Sequence, residues 1–451
     1  MSPIVVGGTL PYQVHLEPYD FGSADFPTLH SYASATFDNQ WVLLAGRTNG
    51  LHSLTSGGFN SFPPASQNRE VWVIDPVTRQ TWHRSLESAG SGLSQSVVDS
   101  LTRTNTQFDQ QGGTLYVTGG YGYDRTTNRF GTSDTLSAID LGALAAWVQN
   151  GTGSAAAALR QLHDPIFKVT GGGMARIGGT THLVFGQDFD GPYAGGAVDG
   201  HYTKQVRSFE VLDDGVELSI QNARQSMPVD AYRRRDLNVV PMLHRDPLTG
   251  ELEQSLTALS GVFTPPPGFG IWTVPVEIDA DGMPTMADPS LTGTFKQGMN
   301  TYHSAKLGLF DPTTGEMHTV LFGGISYQFY DRANGVFVND PQVPFINQLT
   351  SIVRDAAGNY TQYLLDTEFP LLTNPDNGQA WRFGANAEFF VAPGLATLPH
   401  NILDLSQFTQ PTTVGYIVGG LASDDGNFGN TAASNIVFRV SVAPVPEPRV
   451  W

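Results

Sequence analysis

The sequence predicts an all-β propeller built from six repeats, and three observations predict it. A short apolar run closing on glycine occurs six times: Trp41 to Gly46, Thr114 to Gly120, His182 to Gly186, Leu256 to Gly261, Glu316 to Ile325 and Tyr416 to Gly420. The repeats start near residues 30, 104, 171, 237, 302 and 386, a spacing of about 70 residues that marks stacked units with long loops rather than separate domains. Fifty glycines and 29 prolines beside only 15% charged residues suit short strands and many turns, and 40% apolar content supplies a large core. Residues 1–443 therefore read as one propeller and 444–451 as a Pro-rich tail.

Each repeat is justified in turn. Tyr12 to Pro18 alternates like a strand but has no glycine-ended partner beside it, so it is expected to complete the sixth unit as its outermost strand and join the two ends of the ring. The first unit runs from Ser31 to Phe37, turns at Asp38-Asn39 and continues through Arg69 to Asp75 to Trp82. Asn105, Leu115 to Gly120 and Thr135 to Asp140 give the second, after which the Ala-rich stretch Leu141 to Asp164 reads as an insertion with one or two short helices near Gly151. Gly171 to Ile177 opens the third unit and Leu237 to Leu243 the fourth. His303 to Phe310 opens the fifth and Asn386 to Val391 the sixth.

Charge and composition exclude several functions. A net charge of −18 argues against nucleic acid or an anionic membrane as a partner through the overall field. The absence of cysteine removes disulfides, thiol catalysis and thiolate metal sites. No apolar run of about 18 residues occurs, so no membrane-spanning helix is expected.

Two resemblances follow from these residues. Asp75 to Trp82 is close to the kelch pattern, in which a turn leads to a Trp packed between blades. WVLLAGRTNGLHS (41–53), TNTQF (104–108), GGYGY (119–123), RRRDLNVVP (233–241), LTALSGVF (256–263), NTYHS (300–304) and EMHTVLFGGI (316–325) resemble a family of exported bacterial kelch-like propellers of unestablished activity. The resemblance covers about Leu29 to Pro393 and implies a kelch-type propeller that is exported, extracellular or at the cell surface. Thr301 stands where that family has a second histidine, which weakens a metal site built on a His pair. Val445-Pro446-Glu447-Pro448-Arg449-Val450-Trp451 resembles the opening of a PEP-CTERM sorting tail, which implies a following apolar span and basic cluster.

Strand direction locates the candidate site. The start of each innermost strand and the glycine end of the second strand lie on one face. This collects His30, Arg47, His52, Arg103, Asn105, Arg235, Asn238, Tyr302, His303, Arg382 and Glu388. Arginine forks hold carboxylate or sulfate and tyrosine faces stack on sugar rings, so this mouth is expected to bind an anionic or polyhydroxylated, glycan-like ligand. Alternatively, the same polar groups simply bond neighbouring blades, with Arg235-Asp236 as one clamp.

Two further classes stay open. A polysaccharide lyase or hydrolase would use His30 or His303 as base, Tyr302 as acid and Arg47 or Arg235 to neutralise charge, although no spacing signature marks such a site. An anchored surface or matrix protein would self-associate. No cofactor is expected; calcium has candidates in Asp188, Asp190 and Asp199, and in Asp424 to Asn427, where Asp and Gly are also ordinary turn residues.

Overall fold

Alternating strands with tight turns fold, in the computed structural model, into an all-β propeller whose larger sheets are five of four antiparallel strands and one of six strands. The structure describes residues 1–22, 25–53, 58–193, 200–246, 248–265, 270–427 and 430–445. Asp199 and the tail residues 446–451 lie outside them.

In chain order from the inside outwards, sheet I holds Ala33–Phe37, Gln40–Leu44, Glu70–Asp75 and Gln80–Ser85, and sheet II holds Gln107–Gln111, Thr114–Thr118, Thr135–Asp140 and Leu159–His163. Sheet III holds Gly173–Ile177, Thr180–Val184, Val206–Asp213 and Leu218–Gln225; sheet IV holds Val239–Arg245, Leu252–Ala258, Val276–Ile278 and Pro284–Met286. Sheet V builds on Lys306–Phe310, Met317–Ile325, Phe345–Arg354 and Tyr360–Glu368, and sheet VI on Glu388–Val391, Thr412–Val418, Val437–Pro444 and Tyr12–Tyr19.

The expectation of six blades is corrected: five regular four-stranded blades are present, and the remaining large sheet, sheet V, is an irregular one of six strands. Ile4–Val6 adds parallel to its outermost strand, and Leu403–Asp404 adds parallel to its innermost. The N-terminal strand pairs with the last strand in an eight-residue register from Tyr12↔Pro444 to Tyr19↔Val437. The reading of Leu141 to Asp164 as an insertion is also corrected. Only Leu141–Asn150 is α-helical, capped by the Asp140 carboxylate and ended by Gly151 at φ +70°, and Leu159–His163 returns as the outer strand of sheet II. Leu144, Trp147 and Val148 of the helix pack against Val71 and Val73 of sheet I, so the helix fills a gap between two sheets.

Two cyclic sets of backbone hydrogen bonds tie the sheets together. In the first, the glycine closing each second strand donates its N–H to the segment entering the next sheet: Gly46 to Arg103 O, Gly120 to Val169 O, Gly186 to Arg234 O, Gly261 to Thr301 O, Gly324 to Phe383 O and Gly420 to Leu29 O, at 2.8–3.1 Å. All six glycines have φ between +80° and +105°, a region that side-chain-bearing residues rarely adopt. The recurrent glycine is therefore an inter-sheet joint.

The second set runs the other way round the axis. Ser31 donates to Asn386, Asn386 to His303, His303 to Asp236, Asp236 to Gly171, Gly171 to Asn105 and Asn105 to Ser31, at 2.7–3.2 Å. One residue from the entry of each sheet thus joins a closed ring around the propeller axis. Ser31, Asn105, Gly171, Asp236 and Asn386 take φ between +51° and +67°, which suits Gly, Asn and Asp best.

Candidate functional site

The ring divides the predicted site residues into two groups. Residues just before it in each repeat lie on the loop side, and residues just after it run down the innermost strands along the channel.

On the loop side, the chain fills the mouth with its own side chains. Leu51 packs with Val262, Phe263, Ile271, Tyr302, Ile325, Phe345, Ala385 and Leu421, which come from sheets IV to VI. Its N–H donates to Thr431 Oγ1 at 2.8 Å, fastening the sheet I loop to the sheet VI loop. Arg47, 3% exposed, donates to Asn49 Oδ1 (3.0 Å) and Ser61 O (3.1 Å) and lies 4.4 Å over the Phe62 ring. Burial lowers its guanidinium to about 10. His52 stacks on Phe62 and meets Tyr193 edge-on; burial, reinforced by Arg47 and Arg235, lowers it to about 4. His30 bonds Ser31 Oγ at 2.9 Å, and burial beside Arg47 takes it down to about 3. Both imidazoles are therefore neutral at pH 7.

Arg235, 7% exposed, pairs through Nε with Asp236 at 3.4 Å, donates to Tyr193 OH at 3.1 Å and covers Phe263 at 4.3 Å. Burial raises the Asp236 carboxyl against the pull of Arg235, and Asn105 Nδ2 approaches it at 3.4 Å. Buried Tyr302 is pushed well above the phenol range by desolvation and then by Asp236. This arrangement matches the clamp reading. Arg235→Ala is expected to cost about 3 kcal/mol of folding stability in a denaturant titration, because it strands a buried carboxylate. A variant as stable as the parent would show that Asp236 is already protonated.

The remaining residues divide between structural roles and the channel. Asn238 clamps sheets IV and V, donating to Tyr302 O (2.9 Å) and accepting from Ser304 N (3.1 Å). Arg103 is bound within sheet II's own loop by Gly122 O, by Gly131 O at 3.1 Å and by Asp124 at 3.0 Å. Arg382 donates to Ala380 O and Asp424 O, both at 3.3 Å. Of the calcium candidates, Asp188 and Asp190 share Lys168 Nζ at 3.3 and 3.4 Å, while Asp424 Oδ2 accepts from the amides of Asn374, Asn377 and Asn430 at 2.6–2.8 Å. Among the described residues no group of three His, Asp or Glu side chains is placed to hold a metal ion.

Beyond the ring the axis opens into a cavity of about 850 Å³ lined by all six innermost strands. Its polar wall includes Thr36, Gln107, Asp109, Gln111, Arg176, Gln254, His303, Lys306, Glu388 and Asn401. Next to the ring, His303 Nε2 lies 3.4 Å from Lys306 Nζ and 3.7 Å from Glu388 Oε1. Burial and Lys306 hold His303 well below the imidazole range, and the Asn386 side chain partly offsets them. Desolvation raises Glu388 to about 7, with Lys306 pulling the other way. Burial raises Asp109 to about 6, moderated by Gln111 and Arg176. Lys306, Arg176 and Asp109 were not among the residues expected from sequence. A signal for Lys306 was its rarity, as one of four lysines and the only one on an innermost strand.

The channel has a second boundary in residues 392–402, which line the cavity between the first two strands of sheet VI. His400 Nε2 meets Gln254 Oε1 of sheet IV at 2.9 Å, and Ile402 and Leu403 sink into the core. His400 and Asn401 both have positive φ, +61° and +59°. Two adjacent non-glycine residues in that region are strained and are held by their surroundings.

No family model matches the chain, and no curated protein matches it. A solved structure titled "Structure of YjhT" is similar to it at 13% identity, covering 92% of this chain and 97% of that chain with a TM-score of 0.44. Among the described residues no helix is long and apolar enough to cross a membrane.

Proposed function

We propose that the protein is an exported or cell-surface, six-bladed kelch-type propeller, with sheet V as one of the blades, that binds a polyhydroxylated, glycan-like ligand in its axial channel. The carrying observation is the cavity of about 850 Å³ whose wall mixes amide and hydroxyl groups with two cations, Lys306 and Arg176, and two carboxyl groups, Glu388 and Asp109. Donors and acceptors in balance suit vicinal hydroxyls, which both give and accept hydrogen bonds. They favour an uncharged polyol over a polyanion, because each cation has a carboxyl group on the same wall. The loop-side mouth offers the anionic ligand less, since Leu51 and the aromatic rings already occupy it.

A glycan array followed by titration calorimetry tests this. Neutral oligosaccharides are expected to bind, and Lys306→Ala to weaken them by about 1.4 kcal/mol, or tenfold, through loss of one charge-assisted hydrogen bond. Binding confined to sulfated or carboxylated glycans and lost on Arg47→Ala would move the site to the loop side. Failure of every glycan, with the protein assembling on concentration, would favour the structural surface role. Export rests on the sequence resemblance and is tested by reading the frame on both sides of the chain for a signal peptide and an apolar span.

A further inference from the structure

We propose that the channel site hydrolyses glycosidic bonds, with Glu388 as general acid and Asp109 as the carboxylate that activates water. The inference rests on the polyol-binding reading of the channel and adds an activity to it.

Geometry comes first. Both carboxyl groups line the same cavity, Glu388 from the innermost strand of sheet VI and Asp109 from that of sheet II. Sheet I stands between them and contributes Ser34, Ala35, Thr36 and Asn39 to the wall, none of them a bulky or charged side chain. Among the described residues the Glu388 carboxylate, 14% exposed on the cavity, accepts no hydrogen bond within 3.5 Å, and His303 Nε2 stands 3.7 Å from it. A largely buried carboxyl group that accepts no hydrogen bond from the protein is costly unless it serves a ligand or carries a proton. Asp109, in contrast, is positioned by Gln111 Nε2 at 3.3 Å.

The chemistry fits what a polyol offers. A glycan presents no carbonyl to attack, so two carboxyl groups can act on it by protonating the glycosidic oxygen and deprotonating water. Glu388 gives its proton to that oxygen as the C1–O bond breaks and the bonding pair leaves with the alcohol. Water adds its oxygen to C1 while its proton passes to Asp109. Transfer of that proton back to Glu388 through solvent restores both groups, and the net reaction consumes one water.

The electrostatics assign the roles. Glu388 faces Lys306 and His303 of sheet V and the Tyr32 phenol of sheet I, and burial dominates to raise it to about 7. Asp109 faces Arg176 of sheet III and rises only to about 6. Between those values the first carries a proton and the second is ionised.

The test uses 4-nitrophenyl α- and β-glycosides of glucose, galactose, mannose and N-acetylglucosamine, each first titrated by calorimetry against the whole chain. A glycoside that binds is expected to release 4-nitrophenol with a bell-shaped pH profile whose limbs lie near 6 and 7. Glu388→Gln should lower release by at least about 100-fold while its Kd stays within about threefold, and Asp109→Asn should remove the acid limb. Glycosides that bind without release, or a Glu388→Gln variant that cleaves like the parent, would overturn the activity and leave the binding reading standing. No binding by any glycoside, together with a negative array, would overturn both.

Discussion

A chain lacking residues 1–19 is expected to yield no soluble, folded monomer. Tyr12–Tyr19 forms eight residue pairs with Val437–Pro444, the third strand of sheet VI. Its inward side chains Tyr12 and Val14, with Leu10, pack among Val320 and Val353 of sheet V and Val414, Val440 and Val442 of sheet VI. The Tyr12 hydroxyl also meets Ser351 Oγ at 2.8 Å. Ile4–Val6 then fastens the same segment to the outer strand of sheet V, so one stretch of chain staples two sheets. Burying Ile4, Leu10, Tyr12 and Val14 contributes roughly 6–10 kcal/mol, which is comparable with the whole stability of a typical domain, about 5–15 kcal/mol. Removal would also expose the edge of Val437–Pro444 to pairing with other chains. Size-exclusion chromatography and thermal unfolding of the truncated chain check this, and a synthetic peptide spanning residues 9–20 should restore the folded form. A truncated monomer melting within a few degrees of the parent would show that the ring closes without the staple.

That strand was legible because an isolated alternating segment at one end of a repeat array has few other places to pair. The glycine-ended runs were legible for a related reason: Gly46, Gly120, Gly186, Gly261, Gly324 and Gly420 each serve the same joint, so one physical demand is printed six times. The added strands of sheet V were not legible. Ile4–Val6 and Leu403–Asp404 pair parallel with segments some 350 and 90 positions away along the chain, about as far as sequence gives no local sign of. The site was half legible. Strand direction brought His303 and Glu388 to the axis, and it brought Arg47, His52, Arg235 and Tyr302 to the loop side, yet nothing in the spacing announced that a backbone ring would separate them. Nor did it announce that Leu51 would shut the mouth, because a single apolar residue in a loop has no pattern to read. Asp109 escaped because it sits three residues before the Gly112-Gly113 turn, where an aspartate reads as turn chemistry.

The joint itself makes the other large prediction: Gly119→Ala should destabilise the protein by more than about 4 kcal/mol, at the exceptional end for a single methyl group. Gly119 lies at φ +65°, where alanine is strained, but strain of that kind alone costs only about 1–3 kcal/mol. The larger cost is contact. A Cβ at this position would lie 1.9 Å from Val169 O and 3.0 Å from Phe167 O, and neither can yield as a flexible side chain would. Val169 O is the acceptor of the Gly120 N–H at 2.8 Å, so relief of the clash pulls sheets II and III apart at their joint and leaves a buried N–H unpaired. Gly112→Ala is the control. It sits at φ +56° in the hairpin of the same sheet, with nothing within 4 Å of the added Cβ, and should cost only the strain. Denaturant unfolding of the two variants separates conformation from contact. Equal losses at both positions would mean that backbone conformation, rather than contact with the Val169 and Phe167 carbonyls at the joint, sets the cost at Gly119.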